Sequence, residues 1–101
     1  MSQSTTQLVV DKKKARLKPP PMYQVVMLND DYTPMDFVIS VLEAFFCLSA
    51  EKAADVMLDV HHKGQGICGI FSKDIAETKV LQVVKYARKN EYPLLLEIRK
   101  I

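Results

Sequence analysis

The chain has 101 residues, 49% of them apolar and 26% charged, and a net charge of +2. That leaves room for one domain with a real core, hardly for two, and not for a large cofactor enzyme. No stretch approaches the ~18 unbroken apolar residues of a membrane span, the N-terminus lacks an apolar signal core, and two cysteines, Cys47 and Cys68, make neither a disulfide scaffold nor a four-cysteine zinc site, so a reducing cytoplasm is the expected compartment.

Charge is divided unevenly along the chain. Residues 1–18 hold Lys12, Lys13, Lys14, Arg16 and Lys18 against Asp11 alone, while the rest holds nine basic and eleven acidic residues. The leader is therefore about +4 and the body about −2. Pro19-Pro20-Pro21 can continue neither a helix nor a central strand. Residues 1–21 are expected to form a flexible basic extension with a stiff proline joint, and residues 22–101 the folded core.

Tyr23 to Leu28 is rich in strand formers and stops at the turn cluster Asn29-Asp30-Asp31. Thr33-Pro34-Met35-Asp36 announces a helix: Thr33 suits the cap, Pro34 the first helical position and Asp36 a capping box. Phe37, Val38, Val41, Leu42 and Phe45 recur at helical spacing to about Phe46. Ser49 with Glu51 starts a second helix, with a buried stripe of Ala53, Ala54, Met57 and Val60, ending near His61-His62 before Gly64. Gly64-Gln65-Gly66 reads as a turn and Ile67 to Phe71 as a central strand. Ser72 caps a third helix with Ala76, Val80, Val83, Val84 and Ala87 inward, and Leu94 to Ile98 is a last strand. The order β-α-α-β-α-β predicts an α+β fold: three helices packed on one face of a small, three-stranded, mostly antiparallel sheet.

Little in the sequence supports catalysis. Asn29, Asp30 and Asp31 put three oxygen-bearing side chains in one turn. Counted from Asn29, however, the loop positions where calcium binding needs glycine and glutamate hold Pro34 and Ser40. No glycine-rich phosphate loop exists. Polar turns of this kind commonly bond their own backbone amides, but here the turn adjoins apolar Met35 and Val38. His61 and His62 are adjacent, so their rings point about 100° apart and do not chelate together; His61 falls on or near the buried stripe and His62 points outward. Cys47 and Cys68 lack redox or zinc spacing and read as packing residues. No cofactor and no metal are expected.

The body carries a recognisable run: Lys18-Pro19-Pro20, Tyr23, Leu28 through Val38 (Leu-Asn-Asp-Asp-Tyr-Thr-Pro-Met-Asp-Phe-Val), Met57, Val60-His61, Gly64, Ile67-Cys68-Gly69, Ala76-Glu77-Thr78-Lys79, Tyr86-Ala87 and Pro93-Leu94. It closely resembles the ClpS family of adaptors of the bacterial Clp protease, from residue 18 to about 98. The resemblance implies a binding module, not an enzyme. Such a module recognises N-degron substrates with a free N-terminal Leu, Phe, Tyr or Trp and delivers them to the ClpA unfoldase, which feeds the ClpP peptidase. It places contacts to the substrate's amino group on Asn29, Asp30 and His61, with Asp31 in the same loop. It places an apolar pocket on Thr33, Met35, Val38, Met57, Val60 and Leu94. It places contacts with the ClpA N-terminal domain on Tyr32, Asp74, Glu77 and Lys79, Asp74 standing where relatives are expected to carry Glu. The implied partners are ClpA and N-degron proteins, with no nucleic acid and no membrane, for a monomer in the bacterial cytoplasm whose leader is engaged by the unfoldase.

The roles suit the residue types. A free N-terminus is a cation with three donors, and burying it demands acceptors: a carboxylate from Asp30, an amide oxygen from Asn29, a ring nitrogen from neutral His61. Two other readings remain open from sequence. One is a nucleic-acid- or ribosome-associated protein using Lys12–Lys18, although no aromatic residue among those charges could stack a base. The other is a metal-dependent hydrolase using Asp30, Asp31 and His61.

Overall fold

The computed structural model describes residues 19–101; the expected flexible leader over 1–18 lies outside the described residues. Pro19–Pro21 are exposed and carry no regular structure. The elements follow as β1 (Met22–Leu28), α1 (Met35–Phe46), α2 (Ala50–Lys63), β2 (Gln65–Ser72), α3 (Lys73–Lys89) and β3 (Leu95–Lys100). The sheet is three-stranded and antiparallel throughout, in the order β2-β1-β3. The expected α+β order and architecture are therefore present.

One expectation within the sheet is corrected: the centre is β1, and β2 is an edge. The apolar run of residues 67–71 suggested burial on both sides, but Ile67 and Ile70 are exposed. The strand that is enclosed is β1, where three successive residues, Val25, Val26 and Met27, are buried. A register shift between Val25 and Val26 leaves Cys68 as an extra residue on β2, which bends that strand. The core joins Val25, Met27, Cys68 and Leu96 of the sheet to Val38, Val41, Leu42 and Phe46 of α1, to Ala53, Val56 and Val60 of α2, and to Ala76, Val83 and Ala87 of α3.

Helix ends differ from expectation in instructive ways. Ser49 caps α2 by accepting the Lys52 N–H at 3.1 Å, whereas Ser72 occupies the α3 cap position with no side-chain bond. Thr33 does not cap α1. Its N–H and hydroxyl both donate to Asp30, and Pro34, extended at φ −66° and ψ 148°, takes the cap position. Cys47 is not a packing residue: it is exposed and ends α1 in the left-handed region at φ 55°. Cys68 is buried, and its apolar surroundings push its thiol up to about 12, with the Met27 backbone bond opposing weakly.

Two glycines set the position of α2. Gly64, at φ 87°, ends the helix with its N–H on the Val60 carbonyl. The reversal takes one residue, so β2 starts at Gln65 rather than after a longer turn. Gly66 lies inside β2 because α2 crosses directly above it: a Cβ there would stand 2.8 Å from Val60 Cγ2 and 2.9 Å from the Val56 carbonyl.

Candidate functional site

The loop between β1 and α1 is built by one side chain. Asp30 Oδ1 accepts the N–H groups of Tyr32 (2.9 Å) and Thr33 (2.7 Å), and Oδ2 accepts the Thr33 hydroxyl (2.8 Å). Partial burial pushes the Asp30 carboxyl up, but the Thr33 and Tyr32 bonds and the charge of Arg88 together hold it below its ordinary 3.8. Asp30 thus does what aspartate in a polar turn commonly does. Of roughly four acceptor positions on a carboxylate, three are taken, and among the described residues none occupies the fourth, on Oδ2.

The loop is tied to α2. Asn29 N–H donates to the Gly64 carbonyl at 3.0 Å. This brings the Asn29 side chain to the end of α2 that carries His61. Opposite, the first turn of α1 presents Met35 and Val38, fixed by the Val38 N–H on the Pro34 carbonyl at 3.1 Å. Between loop, α1 and α2 lies a recess of about 320 Å³. Its lining combines the polar lip Asn29, Asp30 and Asp31 with the apolar Met35, Val38, Met57 and Val60, and with Tyr32, Thr33, Pro34 and His61. Among the described residues no lysine or arginine lines it.

All four residues expected to hold a substrate amine, Asn29, Asp30, Asp31 and His61, come together here. His61 is exposed at the edge of the recess rather than packed in the stripe, because α2 buries Val56 and Val60 instead. Of the six expected apolar positions, Thr33, Met35, Val38, Met57 and Val60 line the recess. Leu94 does not. It is 1% exposed, in the core, with its carbonyl held by Arg88 at 2.9 Å. Pro34 and Tyr32 are walls that the sequence reading did not assign to the pocket; their place in the run Asp-Tyr-Thr-Pro-Met was the available signal.

The other expected interface residues divide. Tyr32, 78% exposed, stands beside the recess. Asp74 and Glu77 are exposed on the first turns of α3, whose start follows Ser72, the partner of Met22 at the opposite end of the sheet. Lys79 is half-buried, and its ammonium donates to the Phe45 carbonyl at 2.6 Å. Among the described residues no three His, Cys, Asp or Glu side chains gather closely enough to share a metal ion, so the hydrolase reading finds no ligand set there. Among the same residues no helix is long and apolar enough to cross a membrane.

A recess that pairs apolar walls with an acidic lip is what the family resemblance requires, and residues 18–97 match the family model for the ATP-dependent Clp protease adaptor protein ClpS. The chain belongs to the ClpS family. It is 57% identical over 93 residues to the ATP-dependent Clp protease adapter protein ClpS of Pectobacterium carotovorum subsp. carotovorum (strain PC1), covering 92% of this chain and 88% of that one. Identity to the ClpS of Vibrio atlanticus (strain LGP32) is 55%, with the same coverage. Among solved structures it superposes on Agrobacterium tumefaciens ClpS2 bound to L-phenylalaninamide, with a TM-score of 0.79 and 35% identity over 82% of this chain and 100% of that one. As a ClpS protein the chain is a protease adaptor and not an enzyme.

Proposed function

We propose that this ClpS protein captures proteins by a free N-terminal amino group followed by a large apolar first side chain, Leu, Phe, Tyr or Trp, and delivers them to the ClpA unfoldase. The carrying observation is the recess in which the acidic lip adjoins apolar walls. The ligand of the Agrobacterium relative, L-phenylalaninamide, is chemically such a terminus: a free amine, a benzyl side chain and a blocked carboxyl.

Each wall has a task. The ammonium donates to the fourth position, on Asp30 Oδ2, to the Asn29 amide oxygen and to the His61 ring, with the Asp31 carboxylate adding charge. The first side chain enters between Met35, Val38, Met57 and Val60, a burial worth about 1.5–3 kcal/mol for Leu or Phe. Met35, 45% exposed at the mouth, obstructs β-branched residues, whose extra carbon lies next to the backbone. Leu94 supports this wall from the core rather than touching the ligand. Asp74 and Glu77, exposed on α3, face the ClpA N-terminal domain, and Tyr32 offers a further contact.

Two assays test the reading. Peptides differing only in their first residue should bind when it is Leu, Phe, Tyr or Trp and about tenfold or more weakly when it is Val or Ile, a difference of about 1.4 kcal/mol. In a reconstituted ClpA–ClpP reaction the chain should accelerate degradation of a protein starting with Leu. Equal binding of Val and Leu peptides contradicts the assignment of Met35, and an unaltered degradation rate contradicts delivery. The nucleic-acid alternative rests on Lys12–Lys18, outside the described residues, and is recognised by steeply salt-dependent binding to DNA or RNA.

A further inference from the structure

We infer that Lys79 is a positioning residue, capping α1 from a neighbouring helix and so fixing the rod whose other end forms a wall of the recess. Helix α1 closes on its Leu42 carbonyl, which accepts the N–H groups of Cys47 and Leu48, but the carbonyls after it in the last turn have no helical donor. It has no basic residue in its last turn, and its terminal residue Cys47 adopts φ 55° without being glycine. Its last carbonyls face outward at the negative end of the helix dipole, where a cation is favoured. Lys79, 34 positions along the chain from Phe45, supplies that cation: its Nζ lies 2.6 Å from the Phe45 carbonyl. The same ammonium lies 5.9 Å from the centre of the Phe71 ring, within cation–π range, and Phe71 in turn packs against Phe46. The bond therefore joins α3, β2 and the end of α1 at one point.

The consequence reaches the recess because α1 is a rod. Met35 lies about 15 Å from Phe45 along it, so a tilt at the capped end displaces Met35 and Val38. Family resemblance alone assigns Lys79 to a surface that touches the unfoldase. The geometry gives its ammonium an internal bond to the Phe45 carbonyl as well, which uses one of its three N–H donors and leaves two for a partner's carboxylate.

This inference rests on the recess being the peptide site, so its test uses the isolated full chain and two separate readouts. The first is amide exchange at Cys47 and Leu48, whose N–H groups bond the Leu42 carbonyl. The second is the ratio of affinities for Leu- and Val-initiated peptides, measured where every variant is folded. In Lys79→Met, exchange at those amides should quicken about three- to tenfold, in line with the loss of a cation at a helix C-terminus, and the Leu/Val ratio should shrink at least about threefold. Lys79→Arg, which keeps the cation, should restore both. A folded Lys79→Met chain with unchanged exchange, or with an unchanged Leu/Val ratio, overturns the inference. A wild-type chain that binds no Leu peptide refutes the peptide site instead, and the exchange result then judges the cap alone.

Discussion

Asp30 and Asp31 are neighbours with different duties. Asp30 holds the loop together with three bonds, whereas Asp31 lines the recess exposed and makes no such bond with the described residues. Asp30→Asn should therefore cost both stability and peptide affinity, and Asp31→Asn affinity alone. The pH dependence follows in sign. The folded loop binds the Asp30 proton more weakly than the unfolded chain does. Its stabilising contribution is thus complete above the ordinary value of 3.8 and is lost as pH falls through the lower folded value. Melting temperatures of Asp30→Asn should fall less steeply below about pH 4 than those of the parent; parallel curves contradict the role given to Asp30. The two thiols offer an independent check on the core. Cys47 is exposed, while Cys68 is buried with its thiol raised to about 12. A thiolate reagent should label one cysteine per native chain and the second only after unfolding.

At the scale of elements, the site exists because α2 lies close on β2 and stops abruptly. Gly66→Ala would press a methyl against Val60 and the Val56 carbonyl, and backbone cannot yield as a side-chain tip can. A loss of about 1–3 kcal/mol in urea unfolding is expected, with weaker peptide binding as Val60 and His61 shift; an unaffected midpoint contradicts this packing. Much of this level was legible in the sequence. The order of strands and helices, the Ser49 cap and the loop-plus-helix corner all follow from periodicity and turn chemistry. What was not legible depends on partners distant in the chain. The sheet order could not be read because one short apolar run, at residues 67–71, looks the same at an edge and at a centre. Thr33 looked like a cap because its competing partner, Asp30, acts through loop geometry. His61 is more exposed than expected because helical spacing fixes a face but not how far the neighbouring element covers it, and Leu94, just before β3, is buried in the core rather than on the recess.

The two surfaces proposed for function lie at opposite ends of the sheet. The recess sits where β1 leaves the sheet at Leu28 and Asn29. At the other end, about 20 Å away along β1, Met22 pairs with Ser72, the Ile101 N–H meets the Met22 carbonyl, and α3 begins with Asp74 and Glu77. Pro19–Pro21 join the leader to this far end. Removing residues 1–17 should therefore leave peptide affinity within about twofold, less than 0.5 kcal/mol, while abolishing delivery in the ClpA–ClpP reaction. Normal degradation by the truncated chain contradicts the proposed use of the leader.

The most direct measurement is a calorimetric titration with one Leu-initiated peptide in two forms, its amine free or acetylated. Acetylation removes the cation and two donors while the lip's acceptors are still buried by the ligand, at a cost of about 1.5–3 kcal/mol for each charged hydrogen bond lost. The free form should bind and the acetylated form should bind at least about 100-fold more weakly. Equal affinities would mean that the acidic lip does not grip an N-terminus.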